Sequence, residues 1–204
     1  MSEVNATQVR ELREKTGAGF MDCKRALAET AGDLDKALVY LREKGLAAAA
    51  KRSARAASEG LVGSYIHAGG KIGVLIEVNC ETDFVARTQE FQNLVKDLSM
   101  QVAAANPRYV RPEEVPQDVL DAERSIYRVQ AAETGKPAPV VEKIVDGKIE
   151  KFLADVCLLQ QAFIKDPQRT IGQLLTDAIA QLGENIVVRR FSRFQLGENT
   201  DRTA

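Results

Sequence analysis

Ile72, Val74, Ile76 and Val78 recur at every second position of KIGVLIEVN, and Leu75 is apolar on the opposite face. That alternation predicts a strand, and apolar side chains on both faces place it centrally in a sheet, with a neighbour on each edge. LVGSYIH, β-branched and apolar, precedes it, and Gly69 and Gly70 between the two runs supply the positive-φ positions of a hairpin turn. ENIVVRRFSRF is expected to add a last strand near the end of the chain.

Around these strands the period is helical. Three short patterns, each closed by glycine, run over residues 5–45. In the first, Asn5 and Gln8 have capping-box spacing, Val4 and Val9 that of a hydrophobic staple, and Gly17 is the stop. The second, FMDCKRALAET, puts Phe20, Cys23, Ala26 and Leu27 on one face before Gly32; the third runs from Asp33 through Leu34, Ala37, Leu38 and Leu41 to Gly45. LAAAAKRSARAASE reads as a helical linker whose Lys51, Arg52 and Arg55 form either a solvated face or a basic contact strip.

After the hairpin, a helix from Thr88 to Ala105 carries Phe91, Leu94, Val95, Leu98 and Val102 on its buried stripe. Pro107, Pro112 and Pro116 mark a loop; helices over residues 117–134 and 139–161, the second weakened at Gly147, make a helical hairpin. AFIKD is a short strand or extended segment, and Thr170 with Gln173 caps a helix bearing Ile171, Leu174, Leu175, Ile179 and Leu182. The fold class is α+β: a three-helix head over residues 1–45, a helical linker over 46–59, and a core over 60–197 in which a small antiparallel sheet is flanked by helices and the hairpin. Residues 198–204 are expected to fray.

Chemistry is scarce. His67 is the only histidine, so a multi-histidine metal site is excluded and a nucleophilic triad would have a single available base; after a strand and before a turn, a hydrogen-bonded structural role fits it better. No phosphate-binding GxxxxGK[ST] loop is present, and GAGFMD lacks the third glycine and preceding strand of a dinucleotide fingerprint. Three cysteines, Cys23, Cys80 and Cys157, are odd in number and far apart, unsuited to a disulfide framework or a CxxC site, and point to a reducing cytoplasm. Residues 1–57 hold 11 Lys+Arg against 8 Asp+Glu and the remainder 17 against 21; with few aromatics, neither part has the basic bias of a nucleic-acid binder. No signal peptide or membrane span is expected.

Two clusters remain open. Glu77, Glu81 and Asp83 gather carboxylates at a strand end, where they could bind a cation or form an acid/base pair. TDFVAR, residues 82–87, joins an apolar strand to a helix, a position where binding residues concentrate. There Phe84 is either a core aromatic, with Asp83 starting a helix, or an exposed contact residue.

At these residues the chain resembles the elongation factor Ts family, in the blocks LREKTGAGFMDCKRAL, EGLVGSYIH, GVLIEVNCETDFVAR and LGENIVVRRFSRF, in that order over about 200 residues. LLQQAFIKD also matches, with Ala162 where the family commonly has proline. The resemblance implies a ubiquitin-associated-like head that docks on the GTPase elongation factor Tu, and a core of the short form that dimerises, giving a two-plus-two complex. It implies a guanine-nucleotide exchange factor in translation elongation, not an enzyme, without cofactor or metal of its own. Thr82, Asp83, Phe84 and Val85 would enter Tu near its nucleotide and dislodge Mg²⁺ and GDP. Val9, Leu12 and Met21 would be head contacts or head core, and Arg189, Arg190 and Arg193 either contacts for Tu or a solvated face. Two other functions stay open: an adaptor using the head alone, and an enzyme centred on Glu81 and Asp83.

Overall fold

The computed structural model describes residues 5–198; the expected staple partner Val4 and the tail from residue 199 lie outside them. In chain order the elements are α1 (Ala6–Thr16), α2 (Phe20–Glu29), α3 (Leu34–Arg52), β1 (Glu59–Ile66), β2 (Ile72–Cys80), α4 (Asp83–Ala86), α5 (Gln89–Ala105), α6 (Gln117–Ala132), α7 (Ala138–Val156), β3 (Ala162–Phe163), β4 (Asp166–Thr170), α8 (Ile171–Leu182) and β5 (Val187–Gln195). The α+β class and the antiparallel sheet are as expected. β2 is the central strand of the order β1-β2-β5, with β3 and β4 forming a separate antiparallel pair.

Two compact units divide the chain. The first takes residues 5–61, Val78–Leu94 and Leu174–Val187; the second takes Val62–Glu77, Val95–Gln173 and residues 188–198. In the first, α1–α3 close on Val9, Leu12, Cys23, Ala26, Leu27 and Ala37, with Leu34, Leu38, Tyr40 and Leu41 packed around them. Asn5 caps α1, but the expected capping box with Gln8 does not form. Asn5 accepts from the Thr7 amide at 2.9 Å, while Gln8 reaches across to donate to the Gly32 carbonyl at 3.1 Å, tying the start of α1 to the end of α2.

α3 does not stop at Gly45 but runs on to Arg52, so the helical reading of residues 46–59 holds only that far. A side chain at Gly45 would meet Ala180 of α8 at 3.4 Å, about van der Waals contact, so Gly45 sits where α3 passes α8 and does not end the helix. Phe20 also departs from expectation: as the first residue of α2 it lies before the buried stripe is established, and it is 51% exposed.

In the second unit, the hairpin turn forms as expected, the His67 amide donating to the Ile72 carbonyl at 2.9 Å with Gly69 and Gly70 at positive φ. Val74 and Ile76 point inward and Leu75 outward, and a side chain at Gly63 would run into Val95, so α5 lies close against the inner face. Gln101 and Gln161 are buried and satisfy one another: Gln101 Nε2 donates to Gln161 Oε1 and the Ala162 carbonyl, its Oε1 accepts the Ile164 amide, and Gln161 Nε2 donates to the Asp155 carbonyl. α6 and α7 form the expected hairpin over Ala131, Val141, Val145 and Ile149. α7 passes through Gly147 without a break and ends at Val156, a 3-10 turn at Leu158–Gln160 taking up the rest of the helix expected to residue 161.

Candidate functional site

TDFVAR folds as a single helical turn, α4, between β2 and α5. Thr82 caps it, its Oγ1 accepting the Val85 amide at 3.4 Å, and Thr88 starts α5 by accepting the Phe91 amide at 3.3 Å while donating to the Val85 carbonyl at 2.7 Å. Both ends of the turn are thus defined by hydroxyl caps, the role these side chains fill best. Ala86 points inward and is buried; Phe84, two residues earlier, points out and leaves 81% of its surface in water. The core-aromatic reading of Phe84 is therefore wrong: Cys80 and Ala86 are the buried side chains at this point of the chain, and Phe84 is not among them. A phenyl ring exposed on a turn held at both ends gains no apolar burial from its own chain.

Asp83 opens the turn as a helix-start residue and pairs with Arg87 at 2.7 Å; Val85 is half-buried. Cys80 is buried and donates to the Thr82 carbonyl, and burial pushes its thiol above the usual range. The expected carboxylate cluster does not assemble. Glu77 pairs with Arg190 at 2.7 Å and Asp83 with Arg87, while Glu81 accepts from the Asn185 amide at 2.6 Å and from Arg55 at 3.4 Å. Each carboxylate is neutralised separately, and among the described residues no group suited to a metal ion exists.

What holds the turn from below is Glu184. Its Oε1 accepts the Thr82 hydroxyl at 2.6 Å, and its Oε2 accepts the amides of Glu81 and Thr82 at 3.1 and 3.0 Å. Asn185, buried beside it, donates from Nδ2 to the carbonyls of Arg55 at 2.7 Å and Ser53 at 3.4 Å. Neither residue stands out from sequence periodicity, since both precede the strand of the block LGENIVVRRFSRF and sit about a hundred positions from the residues they hold.

The other candidates separate by burial. Val9 and Leu12 are sealed in the head core and present no contact surface, a correction to their reading as docking residues. Met21 is 64% exposed beside Phe20 at the start of α2, and Val39 and Leu46 on α3 are exposed as well. His67 is exposed in the hairpin turn, its Nδ1 3.0 Å from the Tyr65 hydroxyl. On β5, Arg189 is exposed, Arg190 is engaged by Glu77, and Arg193 turns inward to donate to the Ala103 carbonyl at 3.3 Å. On the outer face of the second unit's sheet, Val62, Ile66, Leu75 and Phe194 are all exposed.

Comparison with known proteins gives a consistent answer. The family model described as Elongation factor TS matches residues 28–198. The chain is 62% identical over 195 residues to the elongation factor Ts of Citrifermentans bemidjiense, covering 96% of this chain and 90% of that one. It is 61% identical over 199 residues to that of Geobacter sulfurreducens, covering 98% and 92%. Against that of Caldanaerobacter subterraneus subsp. tengcongensis it is 59% identical over 199 residues, covering 98% and 100%.

Proposed function

Because the chain belongs to the elongation factor Ts family, and so to the translation elongation factors, we propose that it binds the GDP form of elongation factor Tu and speeds release of GDP and Mg²⁺ so that GTP can rebind. The observation that carries this reading is Phe84, an exposed ring on a turn fixed at both ends. A GTPase holds phosphate and Mg²⁺ through many closely set groups, so a wedge that displaces those groups by about an ångström weakens several contacts together. Phe84 is the wedge, with Thr82, Asp83 and Val85 framing it and Met21 joined by Phe20 on the head as a second contact. Linkage makes the opposition mutual: the factor by which the chain weakens GDP is the factor by which GDP weakens the chain.

A second copy of the chain is a further partner in this reading. Val62, Ile66, Leu75 and Phe194 form an apolar outer sheet face, which supports a homodimer and hence a two-plus-two complex. The setting is the cytoplasm, where a partner in translation would be met; among the described residues no helix is long and apolar enough to cross a membrane.

Release of labelled GDP from elongation factor Tu tests the reading. The chain is expected to raise the release rate by orders of magnitude at substoichiometric amounts. Binding without faster release would replace the exchange reading with an adaptor, and turnover of a substrate by the chain alone would replace it with an enzyme.

A further inference from the structure

A wedge works only if its mount is stiffer than what it displaces, and α4 is a mount of four residues. Its strand support ends at Cys80, leaving the amides of Glu81 and Thr82 beyond the ladder. One carboxylate collects them. Glu184 accepts both amides and the Thr82 hydroxyl, at 3.1, 3.0 and 2.6 Å. The exchange is reciprocal, because Glu81 Oε1 accepts the amide of Asn185 at 2.6 Å. Asn185 and Arg55 then fasten the same point to the end of the head helix, through the Arg55 and Ser53 carbonyls and the 3.4 Å contact of Arg55 with Glu81. Two dipeptides, Glu81-Thr82 and Glu184-Asn185, thus grip each other at the base of the turn that carries Phe84.

We propose that Glu184, seconded by Asn185, is a positioning residue for nucleotide exchange: its carboxylate clasps the base of α4 so that load on Phe84 is passed to the fold instead of being lost in bending of the turn. The inference rests on the exchange reading of Phe84. Charge matters as well as shape. A carboxylate accepts from three donors with charge-assisted bonds, whereas the side-chain amide introduced by E184Q keeps a single acceptor oxygen and points a donor at donors.

The test compares the full chain with E184A, E184Q, F84A and the double variant F84A/E184A in GDP release from elongation factor Tu. E184A is expected to lower the maximal release rate about tenfold, the scale of one lost charge-assisted bond, and to change the half-saturating concentration of Tu less than about threefold. E184Q falls between. In the double variant E184A adds nothing to F84A, since a mount without its wedge has no work to do. Hydrogen exchange at the amides of Glu81 and Thr82 quickens in E184A while α1–α3 keep their protection. If E184A loses that protection and unfolds, the same comparison is made with E184Q. Unchanged release in the Glu184 variants beside slow release in F84A overturns the clasp and leaves the exchange reading standing. Full multiplication of the two effects in the double variant overturns it too, and F84A as fast as the unaltered chain overturns both.

Discussion

Cys157 shows how a single buried side chain sets a pH limit on this protein. Burial raises its thiol from the ordinary 9.0 to about 11, with the nearby charges of Glu114 and Glu113 adding to the effect. The folded state therefore holds its proton over a range in which the unfolded chain gives it up. Stability from this group is intact below pH 9, and it is lost as pH climbs from 9 to about 11. Melting temperature followed across that window should fall less steeply in Cys157→Ala than in the unaltered chain; parallel curves would refute the assignment. Phe84 is the opposite case, a side chain whose removal should leave the fold nearly untouched because it contributes little buried surface. Residue identities told little about either environment. A phenylalanine just past an apolar strand is as compatible with a core as with a surface, and only the placement of Ala86 and Cys80 inward decides it.

At the scale of elements, the sequence signals were legible wherever local physics decides. The capping box expected at Thr170 forms with both arms, Thr170 donating its amide to Gln173 Oε1 at 3.0 Å and accepting the Gln173 amide at 3.1 Å. Thr170→Ala should cost about 1 kcal/mol, read from denaturant unfolding. The Asn5 box does not close: Asn5 caps through the Thr7 amide instead, and Gln8 donates to a tertiary acceptor at Gly32, which no local rule foresees. Glycine shows the same division. At Gly45 the neighbour is Ala180, invisible in sequence, and α3 continues. At Gly147, in mid-α7, an added side chain would meet nothing within 4 Å, so Gly147→Ala should stabilise the protein by about 1 kcal/mol and raise its melting point. A lower melting point would show that the hairpin needs glycine there. The alternation of β2, the hairpin and the stripe of α5 were all readable from period alone, whereas Glu184, Asn185 and the buried Gln101–Gln161 pair join positions far apart in the chain and carry no periodic signature.

For the whole molecule, the outer surface of the sheet in the second unit is a departure from a self-sufficient fold. Its inner face is covered by α5, but the outer one offers Val62, Ile66, Leu75 and Phe194, with the Glu77–Arg190 pair beside them. Sedimentation of the chain alone should give a dimer, and Leu75→Glu should give a monomer of unchanged helix content, since a charge at the middle of such a face must be desolvated for the copies to meet. A monomeric unaltered chain would remove the sheet from the list of interfaces. The proposed exchange role rests on the first unit, which holds the head, the turn and the clasp. The most direct test is stopped-flow release of labelled GDP from elongation factor Tu with the unaltered chain and with Phe84→Ala, alongside their melting curves. The variant is expected to bind Tu still, to melt at nearly the same temperature and to lose most of the acceleration, by a factor of about ten or more; equal release rates from the two proteins would contradict the role of Phe84 as the wedge.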